Sequence, residues 1–450
     1  MKFRIDRDAL AEAVAWVARA LPARPVVPVL SGMLLDAAGG LALSCFDYDV
    51  SARAEVGAEV LEPGTALVPG RLLAEITRSL SGASAEFEDD VDSVRLTCGS
   101  AEFTLVKLPV EEYPSLPELP PSAGTVEGVH LAAAVSQVVP SASKDDTLPM
   151  LTGVYAQIEG ETITLAATDR YRLAVRELQW SPARPDLRAT ALIPARALAE
   201  AARTMTAGGR VAIALRDAGP GGPGQGAADA GEQAAGQQGR ATDGMIGFEG
   251  GGRRLTTRLL GGEFIKYSSR FPAEFGSRAD LPPAPLIEAV RRVSLVAERG
   301  SPVRLVFGDG EVVIEAGSQG QARAVERVPA AFTGDERVIA FNPLYLLDGL
   351  TAAATPWQDA TGKPGGGADA DEASGPGRAA TGAGPAGRIR LEFTTSARPA
   401  VISWVAGESG GDGEGGEPGQ PDAEPDTAGS EGAAPGFRYL VVPLRMPGSA

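Results

Sequence analysis

The sequence predicts an α+β protein made of three tandem copies of one domain, because two helical patterns recur in the same order with strand-like runs between them. The first pattern, Leu-x-x-Ala-Val-x-x-Val, begins at Leu10, Leu131 and Leu286. The second places a Pro or Asn before a helical run, at VPGRLLAEI (68–76), IPARALAEA (193–201) and FNPLYLLDG (341–349). Such recurrence in one order indicates an internal repeat.

The first pattern predicts an amphipathic helix in each copy. Its apolar residues fall at positions i, i+3, i+4 and i+7, which form one stripe along a helix. The first two copies start 121 residues apart. The next interval of 155 residues becomes 128 when a 27-residue Gly-rich segment is left out, so the spacing stays nearly constant.

The second pattern predicts another helix, with Leu73, Leu198 and Leu346 in register and an acidic residue two positions later in each copy. Runs such as MLLDA, LALSCF, TITLAAT, VRLVFG and EVVIEA are bounded by Gly or Asp and predict strands. Each copy is therefore predicted as helix, strands, helix, strands. We call the three copies repeat 1 (1–122), repeat 2 (125–274) and repeat 3 (279–450).

Most of the negative charge lies in three predicted insertions. The chain has 450 residues and a formal net charge of −17. Residues 217–243, 355–387 and 408–436 are rich in Gly, Ala and Pro without apolar periodicity, which predicts disordered loops. They carry −3, −2 and −8, together −13, so the rest carries only about −4. The acidic total therefore does not exclude a nucleic-acid partner.

The cysteines and the single histidine exclude several classes of site. Cys45 and Cys98 follow apolar strand residues; we expect small core side chains, no disulfide scaffold and a reducing, cytoplasmic location. His130 stands at a predicted helix start, where we expect a surface or capping residue. Without a phosphate-binding loop, calcium loop or paired carboxylates, we expect no metal and no cofactor. No apolar run is long enough for a membrane span or a signal peptide.

Arginines recur on the second helix of repeats 1 and 2. Arg71 and Arg78 are seven residues apart, and Arg196 and Arg203 repeat that spacing. The spacing puts both arginines on one helix face, which suits contact with a phosphate backbone and equally suits a solvated face. Repeat 3 lacks the pair, so the sequence leaves both interpretations open.

Several local strings, taken in their joint order, resemble the bacterial DNA polymerase III beta subunit family, the replicative sliding clamps. They touch all three repeats, and the resemblance covers the chain apart from the insertions. The strings are RPVVPVLSGMLL (24–35), FTLVKLPVEEYPSLP (103–117), KDDTLPMLTGVY (144–155), ATDRYRLAVRE (167–177), IAFNPLYLLDGL (339–350) and YLVVPLRM (439–446).

The resemblance implies three clamp domains per chain and a head-to-tail homodimeric ring, with helices lining a channel and sheets outside. Such a ring encircles double-stranded DNA without reading its sequence and catalyses nothing itself. It tethers the DNA polymerase III catalytic subunit, the clamp loader and other proteins that carry a clamp-binding motif. By resemblance, Arg24 joins the helix arginines as a DNA contact. Phe103 and Leu105 lie opposite the helix that contains Leu295, across the subunit interface.

The resemblance also implies a peptide-binding cleft between repeats 2 and 3. Its matching residues are Leu151, Thr168, Arg170, Tyr171, Arg172, Leu173, Asn342, Tyr345, Val441, Val442, Pro443, Leu444, Arg445 and Met446. Leu, Val, Pro and Met would form an apolar floor, while Arg172 and Asn342 would hold the polar atoms of the peptide. Residues 439–446 are alternatively a terminal strand, and one strand can serve both purposes.

Departures from the family pattern affect the rim of this cleft. Ile265, Ser269 and Arg270 in the string LLGGEFIKYSSRFP (259–272), and Pro399, differ from the usual residues. The acidic insertion ends just before Phe437 and is either a tolerated loop or a screen against acidic partners.

Two alternatives to a replicative clamp remain. A divergent clamp paralogue that acts as an interaction scaffold outside the main replisome would keep the fold and lose the cleft. A hydrolase using His130 or an acidic pair belongs to another functional class, and His130→Ala would abolish its activity.

Overall fold

The structure, a computed structural model, describes residues 1–205, 209–216, 244–298, 300–308, 310–317, 322–335, 337–355, 387–406 and 436–444. The predicted insertions therefore lie outside the described residues, apart from Thr355, Gly387 and Gly436. The prediction was wrong at Gly387, which begins a strand. The Trp404 ring lies against its α-carbon, so that a Cβ there would come within 2.1 Å of the ring.

All six predicted helices are present, two in each repeat. They are α1 (Arg7–Val17), α2 (Gly70–Ser79), α3 (Gly128–Val138), α4 (Ala195–Thr204), α5 (Pro283–Ser294) and α6 (Pro343–Ala353). Every apolar residue of the first pattern is buried in all three copies, and so are Leu73, Leu198 and Leu346 of the second. The stripe predicted from the spacing is therefore the face that packs into the core.

Each repeat also contributes nine strands among the described residues. Repeat 1 has β1 (Lys2–Asp6), β2 (Gly32–Ala37), β3 (Leu41–Phe46), β4 (Val50–Val56), β5 (Glu59–Glu62), β6 (Gly64–Pro69), β7 (Ser84–Asp89), β8 (Ser93–Cys98) and β9 (Ala101–Val106). Repeat 2 has β10 (Ser122–Glu127), β11 (Gly153–Glu159), β12 (Thr162–Thr168), β13 (Arg172–Gln179), β14 (Ser181–Pro182), β15 (Arg188–Pro194), β16 (Arg210–Arg216), β17 (Met245–Gly250) and β18 (Arg253–Arg258). Repeat 3 has β19 (Ser277–Leu281), β20 (Val303–Phe307), β21 (Glu311–Gly317), β22 (Arg323–Pro329), β23 (Ala331–Thr333), β24 (Arg337–Phe341), β25 (Gly387–Phe393), β26 (Ala400–Ala406) and β27 (Phe437–Val441).

The chain divides into two compact units that do not coincide with the repeats. Unit 1 comprises Met1–Ala132, Ala156–Glu161 and Trp180–Gly262. Unit 2 comprises Ala133–Tyr155, Thr162–Gln179 and Glu263–Ala450. Unit 1 thus contains the junction between repeats 1 and 2, and unit 2 contains the junction between repeats 2 and 3.

Unit 1 contains two sheets. One has the order β5-β1-β7-β8-β9, so β9 is an edge strand. The other has the order β14-β10-β16-β17-β18-β4-β3-β2-β6 and crosses from repeat 2 to repeat 1 where β18 pairs antiparallel with β4. Backbone hydrogen bonds therefore join the two repeats into one sheet.

Unit 2 repeats this arrangement. One sheet has the order β22-β21-β20-β24, so β22 is an edge strand. In the other, β12, β13, β27, β26, β25, β19 and β23 follow one another, and β13 of repeat 2 pairs antiparallel with β27 of repeat 3. The fourth strand of one repeat (β4 or β13) thus pairs with the last strand of the next repeat (β18 or β27) at both junctions.

One backbone hydrogen bond recurs in all three repeats just after the last strand. The amide nitrogens of Leu108, Leu260 and Leu444 donate to the carbonyls of Leu67, Leu192 and Ala340, each over 2.8 Å. Those acceptors directly precede the second helical pattern in each copy. The three repeats that the sequence predicts therefore share this hydrogen bond at equivalent positions.

Candidate peptide-binding cleft and basic surface

A tight turn between β12 and β13 orients the first group of predicted cleft residues. Arg170 adopts a left-handed backbone with φ of 81°. The Asp169 carboxylate accepts hydrogen bonds from the backbone nitrogens of Tyr171 (3.0 Å) and Arg172 (3.1 Å), an arrangement typical of aspartate in turns. The turn leaves Tyr171 54% exposed and directs Arg172, only 6% exposed, inward.

Arg172 is held by groups from both repeats. Its Nε donates to Asp169 Oδ2 (3.0 Å) and its Nη1 to Asp348 Oδ2 (2.5 Å). The guanidinium carbon lies 4.5 Å from the centre of the Tyr345 ring. Burial disfavours the charged form, but Tyr439, Asp348 and Asp169 outweigh it and hold the pKa of Arg172 above its ordinary value.

The start of α6 places Tyr345 beside this arginine. Asn342 caps the helix, because its Oδ1 accepts from the backbone nitrogens of Leu344 (2.9 Å) and Tyr345 (3.4 Å). The buried Tyr439 hydroxyl donates to the Tyr345 carbonyl (2.8 Å). The Tyr345 and Tyr171 rings lie nearly parallel, with centroids 6.1 Å apart. Two tyrosines from different repeats therefore flank one site.

The remaining predicted residues form an apolar floor. Leu151, Leu173, Val441 and Pro443 are buried, and Leu444 is 37% exposed. Past β27 the chain stays in place through the Val442 amide, which donates to the Tyr171 carbonyl (2.9 Å). Thr168 is buried and donates from Oγ1 to the Arg172 carbonyl (2.6 Å). The candidate floor thus combines the last residues of β27 with the segment 442–444 that follows the strand, whereas Arg445 and Met446 lie outside the described residues.

Arg172 and Asn342, both predicted to hold polar atoms of a peptide, also hold groups of the chain itself. Asn342 Oδ1 caps α6, and Nε and Nη1 of the arginine donate to Asp169 and Asp348. Their role toward a peptide stays a prediction. Sequence reasoning missed Asp348 as a cleft residue, although the acid two positions after the repeated leucine was a signal that could have found it.

Aromatic contacts anchor the linker whose residues depart from the family pattern. Tyr155 stacks on Phe264 with ring centroids 5.1 Å apart and lies 6.1 Å from the Tyr267 ring. Arg438, at the start of β27, lies 4.6 Å over Phe271. The linker is therefore held at residues other than Ile265, Ser269 and Arg270.

The predicted DNA-contact arginines are all exposed: Arg24, Arg71, Arg78, Arg196 and Arg203. Arg71 donates from Nη2 to the Pro22 carbonyl (2.9 Å), which ties α2 to the loop that carries Arg24. Arg203 pairs with Glu200, which also accepts from Arg19 Nη1 (2.7 Å). The structure thus brings four of the five arginines around the loop at Pro22, while Arg78 lies farther along α2.

A cavity of about 810 Å³ lies at the junction of repeats 1 and 2, the place that the repeat makes equivalent to the candidate cleft in unit 2. Its lining includes Asp47, Asp49, Arg196, Ala197 and Glu200. The same Asp-centred turn forms it, since Asp47 accepts from the amides of Asp49 (3.1 Å) and Val50 (2.8 Å). By register, Asp49 and Ala197 replace the two cleft tyrosines, Tyr171 and Tyr345. The equivalent junction therefore has one acidic and one small residue where the candidate cleft has two aromatic rings.

The histidine and the cysteines are buried. His130 is 9% exposed in the first turn of α3, so of the two expectations, surface or capping, the surface one was wrong: the imidazole faces inward while the neighbouring Val129 is exposed. Cys45 and Cys98 are core side chains, as predicted. Burial raises the pKa of the Cys45 thiol, which disfavours the nucleophilic thiolate.

The predicted interface residues differ in accessibility. Leu295 is 82% exposed at the end of α5, and Phe103 is half-buried on β9. Leu105 is only 1% exposed, so its side chain faces the core of its own chain, and on the edge strand β9 its main chain is the part that faces a partner. Val106 next to it is exposed on the opposite face of the edge strand.

Family models of known proteins match the chain in three successive parts, one for each repeat. Sequence models of the N-terminal, central and C-terminal domains of the DNA polymerase III beta subunit match residues 1–117, 125–266 and 268–357. The chain is 46% identical to the beta sliding clamp of Streptomyces coelicolor over the full length of both proteins. The chain belongs to the DNA polymerase III beta subunit family.

Other members of this family include a beta sliding clamp from Micrococcus luteus, 47% identical over 73% of this chain and 99% of the relative. The beta sliding clamp homolog GriR of Streptomyces muensis is 44% identical over 79% of this chain and 90% of its own. The Streptomyces coelicolor and Micrococcus luteus relatives confirm the prediction of a bacterial sliding clamp and favour it over a divergent scaffold.

Solved structures agree on the fold. The Bacillus subtilis sliding clamp superimposes with a TM-score of 0.74 at 24% identity and covers 99% of this chain and 100% of its own. A Pseudomonas aeruginosa clamp bound to griselimycin gives a TM-score of 0.72 at 23% identity, with coverage of 99% and 100%. No helix within the described ranges is long and apolar enough to cross a membrane. The same residues contain no cluster of three or more His, Cys, Asp or Glu side chains that could hold a metal ion.

Proposed function

We propose that two copies of this chain join head to tail into a ring that encircles duplex DNA. The carrying observation is the strand pairing between repeats: β4 pairs with β18, and β13 pairs with β27. The equivalent strand of repeat 3 is β22, and the equivalent last strand of repeat 1 is β9. Both are edge strands of their sheets. A second copy closes the series by pairing its β9 with β22, and the same contact recurs at the other end.

Open sheet edges are sites where another chain adds by main-chain hydrogen bonds, which supports this closure. The interface is heterologous, since different surfaces meet, and such a contact forms a ring when the rotation closes. Arg24, Arg71, Arg78, Arg196 and Arg203 would face the DNA phosphates. The repeat boundaries 1–122, 125–274 and 279–450 belong to this proposal.

The cleft in unit 2 would bind short peptides of the polymerase III catalytic subunit, the clamp loader and other partners. Tyr171 and Tyr345 supply aromatic walls, and Leu173, Val441 and Leu444 an apolar floor for hydrophobic anchors. Pro443, Arg445 and Met446 belong to the same proposed site. The chain would act in the cytoplasm without catalysing a reaction, and any polymerase activity would belong to its partners.

A fluorescence titration tests the cleft. A labelled peptide of the family's clamp-binding type (Gln, then Leu, then a Leu-Phe pair) is added to the full chain, to Leu173→Asp and to a chain that ends before Met446. Saturable binding that both variants lose supports the proposal. Equal binding to all three, or none to the unaltered chain, contradicts it.

A further inference from the structure

The first helix of each repeat carries one residue that can reach the second helix of the next repeat. Trp16 on α1, Gln137 on α3 and Arg292 on α5 occupy the same place in the first pattern, six residues after its leading leucine. The last turn of the second helix likewise aligns Ser79, Thr204 and Ala352, six residues after the repeated leucine.

Two of these positions are joined within the chain. At the junction in unit 1, Trp16 Nε1 donates to Thr204 Oγ1 over 2.8 Å. At the junction in unit 2, Gln137 Nε2 donates to the Ala352 carbonyl over 2.8 Å. The donor is an indole in one junction and an amide in the other, and the acceptor is a side-chain hydroxyl in one and a backbone carbonyl in the other. The two hydrogen bonds nevertheless join equivalent positions over the same distance. A hydrogen bond from the first helix of one repeat to the second helix of the next is therefore a repeated feature of how consecutive repeats pack.

The third donor and the third acceptor both remain exposed. Arg292 lies on the exposed side of α5, one helical turn before the exposed Leu295. Its Nε (3.1 Å) and Nη2 (2.5 Å) donate to Glu326 on the edge strand β22, while Nη1 is 3.8 Å from the nearest Glu288 oxygen. Glu326 thus fixes the guanidinium above the edge strand and leaves Nη1 for another acceptor.

On α2, Ser79 and Glu75 are exposed one turn apart, on the same helix face. Within the described part of the chain Glu75 forms no ion pair or hydrogen bond. Its counterpart Glu200 accepts from Arg19 of repeat 1 (2.7 Å), and its counterpart Asp348 accepts from Arg172 of repeat 2 (2.5 Å). In both junctions, the acid of the second helix takes an arginine from the preceding repeat.

We propose that Arg292 of one copy pairs with Glu75 and contacts Ser79 of a second copy, which completes at the subunit interface the contact that Trp16 and Gln137 make within the chain. This rests on the proposed ring and adds the charged pair that selects the partner surface. Close charge pairs that become shielded at an interface are strongly coupled, and they also disfavour incorrect partners.

A charge-reversal cycle tests the pair on the full chain. The dimer dissociation constant is measured by sedimentation for the unaltered protein, Arg292→Glu, Glu75→Arg and the double variant. We expect each single reversal to weaken the dimer about tenfold or more, and the double variant to return to within about threefold of the unaltered chain. Arg291→Glu, on the same helix but outside the repeated position, is expected to leave the dimer unchanged.

The outcomes separate this pair from the ring itself. A stable dimer in which the two reversals add without recovery, or change nothing, overturns the pair and leaves the ring standing. An unaltered chain that stays monomeric at all concentrations overturns both. Arg292→Glu also places an acid beside Glu326 and Glu288, and the recovery in the double variant distinguishes pairing across the interface from that local repulsion.

Discussion

Arg172 of repeat 2 donates from Nη1 to Asp348 of repeat 3 over 2.5 Å, and this ion pair lies directly behind the candidate cleft. The same guanidinium lies 4.5 Å from the centre of the Tyr345 ring. A buried, paired arginine thus supports an aromatic wall that a peptide would touch. The pair connects the packing of the two repeats to the shape of the binding site.

Asp348→Asn is expected to weaken the cleft without touching a peptide. The change leaves the buried Arg172 with Asp169 as its remaining carboxylate partner, and we expect a loss of about 1–3 kcal/mol in the free energy of unfolding. Peptide affinity should fall as well, because Tyr345 loses its support. Urea denaturation and peptide titration measure the two effects. Asp186→Asn, an exposed acid elsewhere in repeat 2, should change neither; equal effects of both substitutions would contradict the assignment.

Tyr171→Ala is expected to reduce peptide affinity about tenfold or more with little effect on folding. The side chain is 54% exposed, so its removal costs little core packing. Removing an aromatic residue that anchors a partner commonly costs about 1–2 kcal/mol or more of binding free energy. That loss corresponds to about a tenfold decrease in affinity. Tyr48→Ala, an exposed tyrosine in the corresponding turn of repeat 1, is the control and should bind normally. Unchanged affinity in Tyr171→Ala would place the peptide elsewhere.

DNA binding is expected to depend on salt through Arg196 more than through Arg203. Arg203 pairs with Glu200, whereas Arg196 has no ion pair with any described residue. Each phosphate contact contributes about 0.9 to the slope of log affinity against log salt concentration, so Arg196→Ala should reduce that slope by about one. Titrations of duplex DNA at several salt concentrations measure it. Arg188→Ala, exposed elsewhere, should leave the slope unchanged; a similar reduction there would indicate general charge loss instead of a site.

Neither cysteine is expected to react with a thiol reagent in the folded protein. Cys45 and Cys98 are buried, and burial raises the pKa of the Cys45 thiol, so little thiolate forms at pH 8. Ellman's reagent should detect both thiols only after denaturation. Rapid modification of either thiol in the native protein would contradict the packing of repeat 1.

The local sequence pattern predicted the helices, because the helical spacing of the apolar residues that start at Leu10, Leu131 and Leu286 identifies the helix face that is buried. The strands followed from runs bounded by Gly and Asp. The direction of Arg172 could not be predicted, since it depends on Asp348, a residue 176 positions away. Which face of β9 is covered also depends on distant packing, so the sequence could not show that the Leu105 side chain faces its own core.

The junction between repeats 1 and 2 shows the same limit. Resemblance predicted the cleft in unit 2, but only the structure shows that the corresponding junction has Asp49 and Ala197 where the cleft has Tyr171 and Tyr345. The repeat alone would have predicted two equivalent clefts. Side-chain chemistry at two equivalent positions distinguishes them.

Cross-linking between edge strands tests the head-to-tail ring most directly. Val106 on β9 and Val325 on β22 are exposed, and the native cysteines are buried, so a short bis-maleimide should react only with introduced thiols. Chains that carry only Val106→Cys are mixed, after subunit exchange, with chains that carry only Val325→Cys. The ring predicts a cross-linked dimer in the mixture and none from either variant alone. Cross-linked dimers from one variant alone, or none from the mixture, would contradict head-to-tail closure.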